Sequence, residues 1–389
     1  MLTLIKQAEL FTPTPLGTKD LLMGGGKIVA IEDEIKISSN LAVNIIDGSG
    51  FILTPGFVDS LVHITGGGGE GGFTTRTQEM ALTEATTAGV TTIVGALGTD
   101  AITRTLPNLL AKVNELNQLG ISAYCYTGSY QFPVKTLLTT VQEDILLLSN
   151  VIGVGEVAIA DHRASHITCQ ELIRLASEAR VGGMLAGKSG IVSIHLGDAL
   201  EGLELLQQAV SQSNIPASQF YPTHINRSEH LFQQGLAWAK QGGFIDFTTS
   251  TTAQILAAGE VSAAQALARA LQADVPLRQI TFSSDGNASL PLFDEKGHLV
   301  DLQQAQVCSL HRSFCEAINE HGVAIGDALS CVTQNPADIL HLWHKGRIAV
   351  DLDADLVLMD KQSLQISDVW AQGQRMVEQG KAMVTGNFE

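Results

Sequence analysis

Several shortages in this sequence each remove a class of protein. The five cysteines (Cys125, Cys169, Cys308, Cys315 and Cys331) are odd in number and contain no CxxC pair. Scattered thiols of this kind suit a reducing cytoplasm rather than a disulfide framework. Positive charge is scarce: 23 Lys and Arg against 40 Asp and Glu leave a formal net charge of −17. That balance argues against nucleic acid and against an anionic membrane surface as partners. No apolar run approaches the length that spans a bilayer. The opening segment MLTLIKQAELFTPTPLG lacks the apolar stretch and small-residue cleavage site of a secretory signal. Internal repeats and low-complexity tracts are also missing. The expected location is the cytoplasm.

What is present is a chain of 389 residues, 45% hydrophobic and 16% charged. This is the composition of a globular enzyme with a large core, and the length calls for a large domain plus a smaller one. Runs rich in β-branched residues recur at 56–63, 90–96, 121–127, 151–159, 190–196, 219–225, 243–249 and 279–285. Each is bounded by turn residues and reads as a buried strand. Helical patterns separate most of them, among them TTRTQEMALTEATTAG, LPNLLAKVNELNQLG and SAAQALARALQADV. Several end in Gly, a stop signal. Eight such units in series predict an α/β fold, a TIM-like (β/α)8 barrel over residues 56–345, with a doubly wound open sheet as the weaker reading. The flanks, 1–55 and 346–389, are short alternating runs broken by Gly, Asp and Asn, such as KIVAIED, NIIDGSGFILTPG and DADLVLMD. They read as β-hairpins that together form one small β-sandwich domain from both chain ends.

The chemistry lies at the strand ends. GFVDSLVH ends in His63, IGVGEVAIAD carries Glu156, GIVSIHLGD carries His195, FYPTHINR carries His224 and ITFSSDGN carries Asp285. His195 and His224 come from consecutive strands, which in a parallel sheet lie about 4.8 Å apart, and Glu156 adds a carboxylate one strand earlier. Two histidines and a glutamate form a catalytic zinc set that keeps a position open for water. Leu61 stands where an HxH pair would have its first imidazole, so His63 alone also reads as a hydrogen-bonded histidine at a barrel mouth. Asp285 suits a base beside metal-activated water, or alternatively an Asx-turn, since a DG dipeptide follows it. Arg163 and Arg227 fit substrate carboxylates or surface ion pairs. The GGGGEGG loop offers backbone N–H groups, Gly68 among them, plus Glu70 for a substrate ammonium. It lacks the Lys-Ser/Thr ending of a phosphate-binding loop. Tyr130 in TGSYQ is placed to donate to a developing oxyanion.

The motifs TPGFVD, VHITGGGGEGGFTTRT, VGALGTDAITR, YTGSYQ, ADHR, VSIHLGD, PTHINR and FSSDGN resemble, in that order, those of the isoaspartyl (β-aspartyl) dipeptidase family of the amidohydrolase superfamily. The C-terminal GRIAVDLDADLVLMD extends the resemblance almost to the end. It implies a TIM-like barrel, zinc, and hydrolysis of dipeptides linked through an aspartate side chain. It further implies His195 and His224 as metal ligands, Asp285 as catalytic base and metal ligand, and Tyr130 as oxyanion donor. Glu70, Gly68, Thr99, Arg163, Arg227 and Ser289 become substrate contacts. Family members form homo-oligomers, octamers among them.

Two departures fall on metal ligands. The family usually has HxH where this chain has Leu61, and a carboxylated lysine where it has Glu156. N-acetylglucosamine-6-phosphate deacetylases are similar in using a Glu-His-His site. The expectation is one zinc ion on Glu156, His195 and His224, with His63 beside it or weakly ligating a second ion. Two competing functions stay open: a related amidohydrolase acting on N-acyl amino acids or cyclic amides, and a non-catalytic ligand-binding paralogue.

Overall fold

The computed structural model describes residues 2–38, 40–293 and 299–389. Strands β1 (Leu2–Phe11), β2 (Pro15–Gly24) and β3 (Lys27–Glu32) form an antiparallel meander. Strands β4 (Val43–Asp47) and β5 (Phe51–Pro55) both pair with β1, and both in parallel. The NIIDGSGFILTPG segment is therefore not the hairpin its turn residues predict. The Asp47 carboxylate accepts from the Ser49 amide at 3.0 Å, and the Gly48 amide donates to the Lys6 carbonyl at 2.7 Å. This docks the turn on β1 and sends β5 onward along it.

After β5 come β6 (Phe57–Val62), β7 (Val90–Gly95), β8 (Ser122–Thr127), β9 (Val151–Ile159), β10 (Ile191–Leu196) and β11 (Phe220–Thr223), which form a six-stranded parallel sheet in chain order. Strands β12 (Ile245–Thr248) and β13 (Ile280–Ser283) form a parallel pair. The Ile225 amide donates to the Asp246 carbonyl at 3.2 Å, and the His63 amide donates to the Gly286 carbonyl at 2.8 Å. These bonds carry β11 toward β12 and the end of β13 back to β6, so the sheet is curled. All residues of these eight strands but the partly buried Tyr124 are buried, as expected when both faces of a parallel sheet are covered.

One face packs on helices. In the helix Leu106–Leu119, Leu109, Val113 and Leu116 are buried at helical spacing. Thr105 caps its start by accepting from the Asn108 amide, and Gly120, at φ 109°, ends it in the left-handed region. Each fully buried Leu or Val contributes about 1.5–3 kcal/mol. The other face, inside the curl, holds Val58, Leu61, Tyr126, Ile152, Ile191 and Tyr221, closed at the N-terminal strand ends by Ile339, Leu340 and Leu342. Leu61 belongs to this apolar filling.

The sequence pattern predicts a helix through residues 74–89, but only Leu82–Thr86 is α-helical there. The Arg104 guanidinium donates to the carbonyls of Thr65, Gly67 and Thr77, and the Thr77 hydroxyl donates to the Asn287 carbonyl at 2.6 Å. Within the stretch, the Thr77 carbonyl is taken by Arg104, and the Thr77 and Met80 amides donate to the Gly67 and Ile64 carbonyls, each at 3.0 Å, so these groups are not available to a helix ladder.

Strands β14 (Ser289–Phe293) and β15 (Leu299–Gln304) pair antiparallel beyond β13. Strands β16 (Leu356–Asp360), β17 (Ile366–Ala371), β18 (Gln374–Glu378) and β19 (Lys381–Ala382) join β5 through β16. The two chain ends thus build one nine-stranded mixed sheet. Its own core includes Ile5, Leu10, Leu21, Met23, Leu358 and Trp370.

Candidate active site

At the C-terminal ends of the parallel strands lies a cavity of about 890 Å³. His63, Gly68, Glu70, Thr99, Tyr130 and Arg163 line it, together with His195, His224, Arg227, Asp285 and Ser289. Glu156 lies behind this wall, fully buried. The structure therefore gathers every residue singled out from the sequence around one space.

Glu156 projects from β9. An added Cβ on the preceding Gly155, at φ 148°, would come within 2.6 Å of the Ser193 carbonyl oxygen, so only glycine lets β9 lie this close to β10. His195 sits on β10, with Nδ1 3.6 Å from Glu156 Oε2. His224 follows β11 with φ 63°, and its Nε2 is 3.4 Å from the same oxygen. A left-handed backbone at a non-glycine residue is uncommon and concentrates at functional sites. Here it turns the chain out of the strand and the imidazole inward. The two rings meet edge to face at 4.6 Å.

Donor atoms of Glu156, His195 and His224 lie within 4.8 Å of one another. Both Glu156 oxygens and His224 Nε2 are buried without a hydrogen-bond partner. An unpaired buried carboxylate is costly, and a divalent cation relieves that cost, so the donor set fits one. Burial, with the charge of Arg227 and the nearby His195 adding to it, pushes the His224 pKa down to about 4. The imidazole is neutral near pH 7, as a ligand must be. Its Nδ1 lies 2.6 Å from the Thr248 hydroxyl, which orients the ring.

Asp285 also has a left-handed backbone, φ 52°, just past β13. Its Oδ1 lies 3.2 Å from His63 Nε2, close but not aligned for a hydrogen bond. Burial works against a charged His63, yet the Asp285 carboxylate holds its pKa above the ordinary value. These two form a pair beside the Glu-His-His group. The Tyr130 hydroxyl is 2.7 Å from His195 Nδ1, and burial raises its pKa well above 10, so it remains a donor.

The outer part of the cavity is charged and braced. Glu70 accepts from the Thr99 and Ser289 hydroxyls, each at 3.0 Å, and lies 3.4 Å from Arg163 Nη1. Arg227 donates to the Leu196 carbonyl at 2.7 Å and faces Asp198 at 3.7 Å. Gly68 has φ 73°, and an added Cβ there would fall 2.6 Å from the Thr75 carbonyl oxygen and 3.1 Å from Ser289 Cβ.

Sequence reasoning missed four contributors. Arg104 and Thr77 pin the glycine loop, Thr248 orients His224, and Asp161 contacts both Arg163 and His195. Asp161 had a signal, the Asp-x-Arg spacing inside ADHR. Thr248 had only its place at the end of a strand.

A curled parallel sheet with helices outside, whose strand ends converge on two histidines and a glutamate, defines a metal-dependent hydrolase architecture. The amidohydrolase family model matches residues 52–387, and the chain belongs to that family. It is similar to the β-aspartyl dipeptidase of Fervidobacterium islandicum AW-1, solved with a β-Asp-Leu dipeptide. The two are 40% identical, with all of both chains covered and a TM-score of 0.92. It also shares its fold with N-acetylglucosamine-6-phosphate deacetylase of Pasteurella multocida, at 15% identity over 98% of this chain and 100% of that one, with a TM-score of 0.60. An allantoinase of Enterococcus faecalis is 24% identical over 91% of this chain and 86% of its own length.

Proposed function

We propose that this chain hydrolyses β-aspartyl dipeptides with the help of one divalent metal ion. The observation that carries the reading is the meeting of Glu156, His195 and His224 on the cavity that also holds Glu70, Arg163 and Arg227. The resemblance to a β-aspartyl dipeptidase over the whole chain supports it. Glu156, His195 and His224 would hold the ion, zinc by donor type. When bound, it supplies Lewis-acid charge that polarises a carbonyl and acidifies water. Leu61, packed into the apolar filling, offers no donor for a second ion.

In this reading Arg163 and Arg227 pair with the substrate carboxylates, and Glu70, braced by Thr99 and Ser289, pairs with its ammonium. Gly68 contributes backbone contact. Such clamps convert binding into orientation. Asp285 takes a proton from the attacking water and passes it to the departing amine nitrogen as the C–N bond breaks. Tyr130 donates to the carbonyl oxygen as negative charge builds there. The curled sheet is read as a closed (β/α)8 barrel over 56–345. The mixed sheet of 1–55 and 346–389 is read as a β-sandwich. The five free cysteines suit a reducing cytoplasm, and the resemblance suits a homo-oligomer.

Purified protein supplied with zinc is expected to release aspartate and leucine from β-Asp-Leu while leaving N-acetyl amino acids and dihydroorotate intact. Cleavage of those compounds instead would overturn the substrate assignment. Binding of β-Asp-Leu with no cleavage would identify a non-catalytic paralogue.

A further inference from the structure

Asp161, just past the end of β9, has a side chain only 3% exposed. Its Oδ1 accepts from Arg163 Nε at 2.9 Å and from the Arg163 backbone amide at 2.7 Å. Its Oδ2 accepts from Arg163 Nη2 at 2.7 Å and lies 3.0 Å from His195 Nε2.

A carboxylate can only accept. Each terminal guanidinium nitrogen carries two hydrogens, so Arg163 Nη2, 3.2 Å from His195 Nε2, and Arg227 Nη1, 3.4 Å from it, face the ring as well as bonding Asp161 and the Leu196 carbonyl. The tautomer follows from which ring nitrogen faces the Glu-His-His group: Nδ1 lies 3.6 Å from Glu156 Oε2, so in the proposed metal site Nδ1 is unprotonated and Nε2–H donates to Asp161 Oδ2 at 3.0 Å. Nδ1 then keeps its lone pair, facing the Tyr130 hydroxyl and Glu156. With Nε2 unprotonated, its lone pair would face a carboxylate oxygen.

We infer that Asp161 is a positioning residue that fixes the tautomer and ring orientation of His195 for metal binding through Nδ1, and at the same time fixes the Arg163 guanidinium at the substrate end of the cavity. One side chain thus joins the metal group to the substrate group. Arg163, gripped through Nε and Nη2, keeps Nη1 turned toward Glu70 at 3.4 Å and its guanidinium 5.4 Å from the Tyr130 ring centre. The inference rests on the proposed metal site but not on the identity of the substrate.

The test uses the full-length protein loaded with Co2+, with metal affinity and the cobalt absorption bands as readouts beside turnover. Asp161→Ala is expected to weaken cobalt affinity by roughly 10- to 100-fold and to shift the absorption bands. Asp161→Asn keeps an acceptor for Nε2–H but loses the charge that grips Arg163. It is expected to retain near-wild-type affinity and bands while raising KM more than it lowers kcat. Wild-type affinity and bands in the alanine variant would overturn the inference. So would an asparagine variant as impaired in cobalt binding as the alanine one. Failure of the wild-type chain to take up cobalt would overturn it together with the metal site. A wild-type chain that binds cobalt but leaves β-Asp-Leu intact would instead defeat only the substrate assignment, since the affinity and spectral comparison still decides the role of Asp161.

Discussion

Asp285 combines burial, a left-handed backbone and an unpaired carboxylate oxygen 3.2 Å from an imidazole. Each feature is costly, and together they suit an oxygen kept ready to accept a proton. Asp285→Asn preserves shape and removes the basic site. It is expected to lower kcat on β-Asp-Leu by roughly 10²- to 10⁴-fold, with metal content unchanged on elemental analysis. Turnover close to wild type would remove Asp285 from the chemistry. At this scale much was legible in the sequence, because Glu156, His195, His224 and Asp285 each follow an apolar run, and strand ends are where a parallel barrel gathers function. The contacts that orient them were not. The Thr248 hydroxyl reaches His224 across a strand boundary, and its register is set by packing that no local pattern encodes.

Among the elements, β12 places Asp246 inside the curled sheet below the cavity. Its carboxyl accepts from the Thr281, Thr223 and Ser283 hydroxyls at 2.6, 2.8 and 2.5 Å. Burial still pushes its pKa up to about 7 from an ordinary 3.8, against those three donors. The folded state therefore holds a proton that the unfolded chain releases at lower pH. This group favours folding fully below about pH 3.8, and that contribution is lost as pH rises toward 7. Asp246→Asn removes the titration and keeps an acceptor. Between pH 5 and 7 the wild type is expected to lose stability relative to this variant by up to about 1.4 kcal/mol per pH unit, read by urea unfolding. A difference independent of pH would show that the carboxyl does not titrate there. The eight parallel strands were legible from composition and spacing. The stretch 74–89 was not, because its helical periodicity yields to bonds with distant groups: Arg104 takes the Thr77 carbonyl, and the Thr77 and Met80 amides pair with the Gly67 and Ile64 carbonyls. Docking of the β4–β5 turn onto β1 was equally hidden, since Gly and Asp signal a turn without saying which strand receives it.

For the whole molecule, both chain ends meet in one sheet through β5 and β16, so residues more than 300 apart in sequence pair directly. The short alternating flanks made that meeting legible. The pairing order within the nine strands required long-range register. The same closure gathers polar groups from the ends of separate strands into one cavity. Three arginines, Arg104, Arg163 and Arg227, line it among the carboxylates Glu70, Asp100, Asp198, Glu260 and Asp285, a mixture of both signs suited to a zwitterionic ligand that carries carboxylates and an ammonium. The most direct measurement is stepwise return of Zn2+ to chelator-stripped protein while leucine release from β-Asp-Leu is followed. A metal site built from Glu156, His195 and His224 predicts no activity without metal, a linear rise, and a break at one ion per chain. A rate independent of metal, or a break only at two ions, would contradict it.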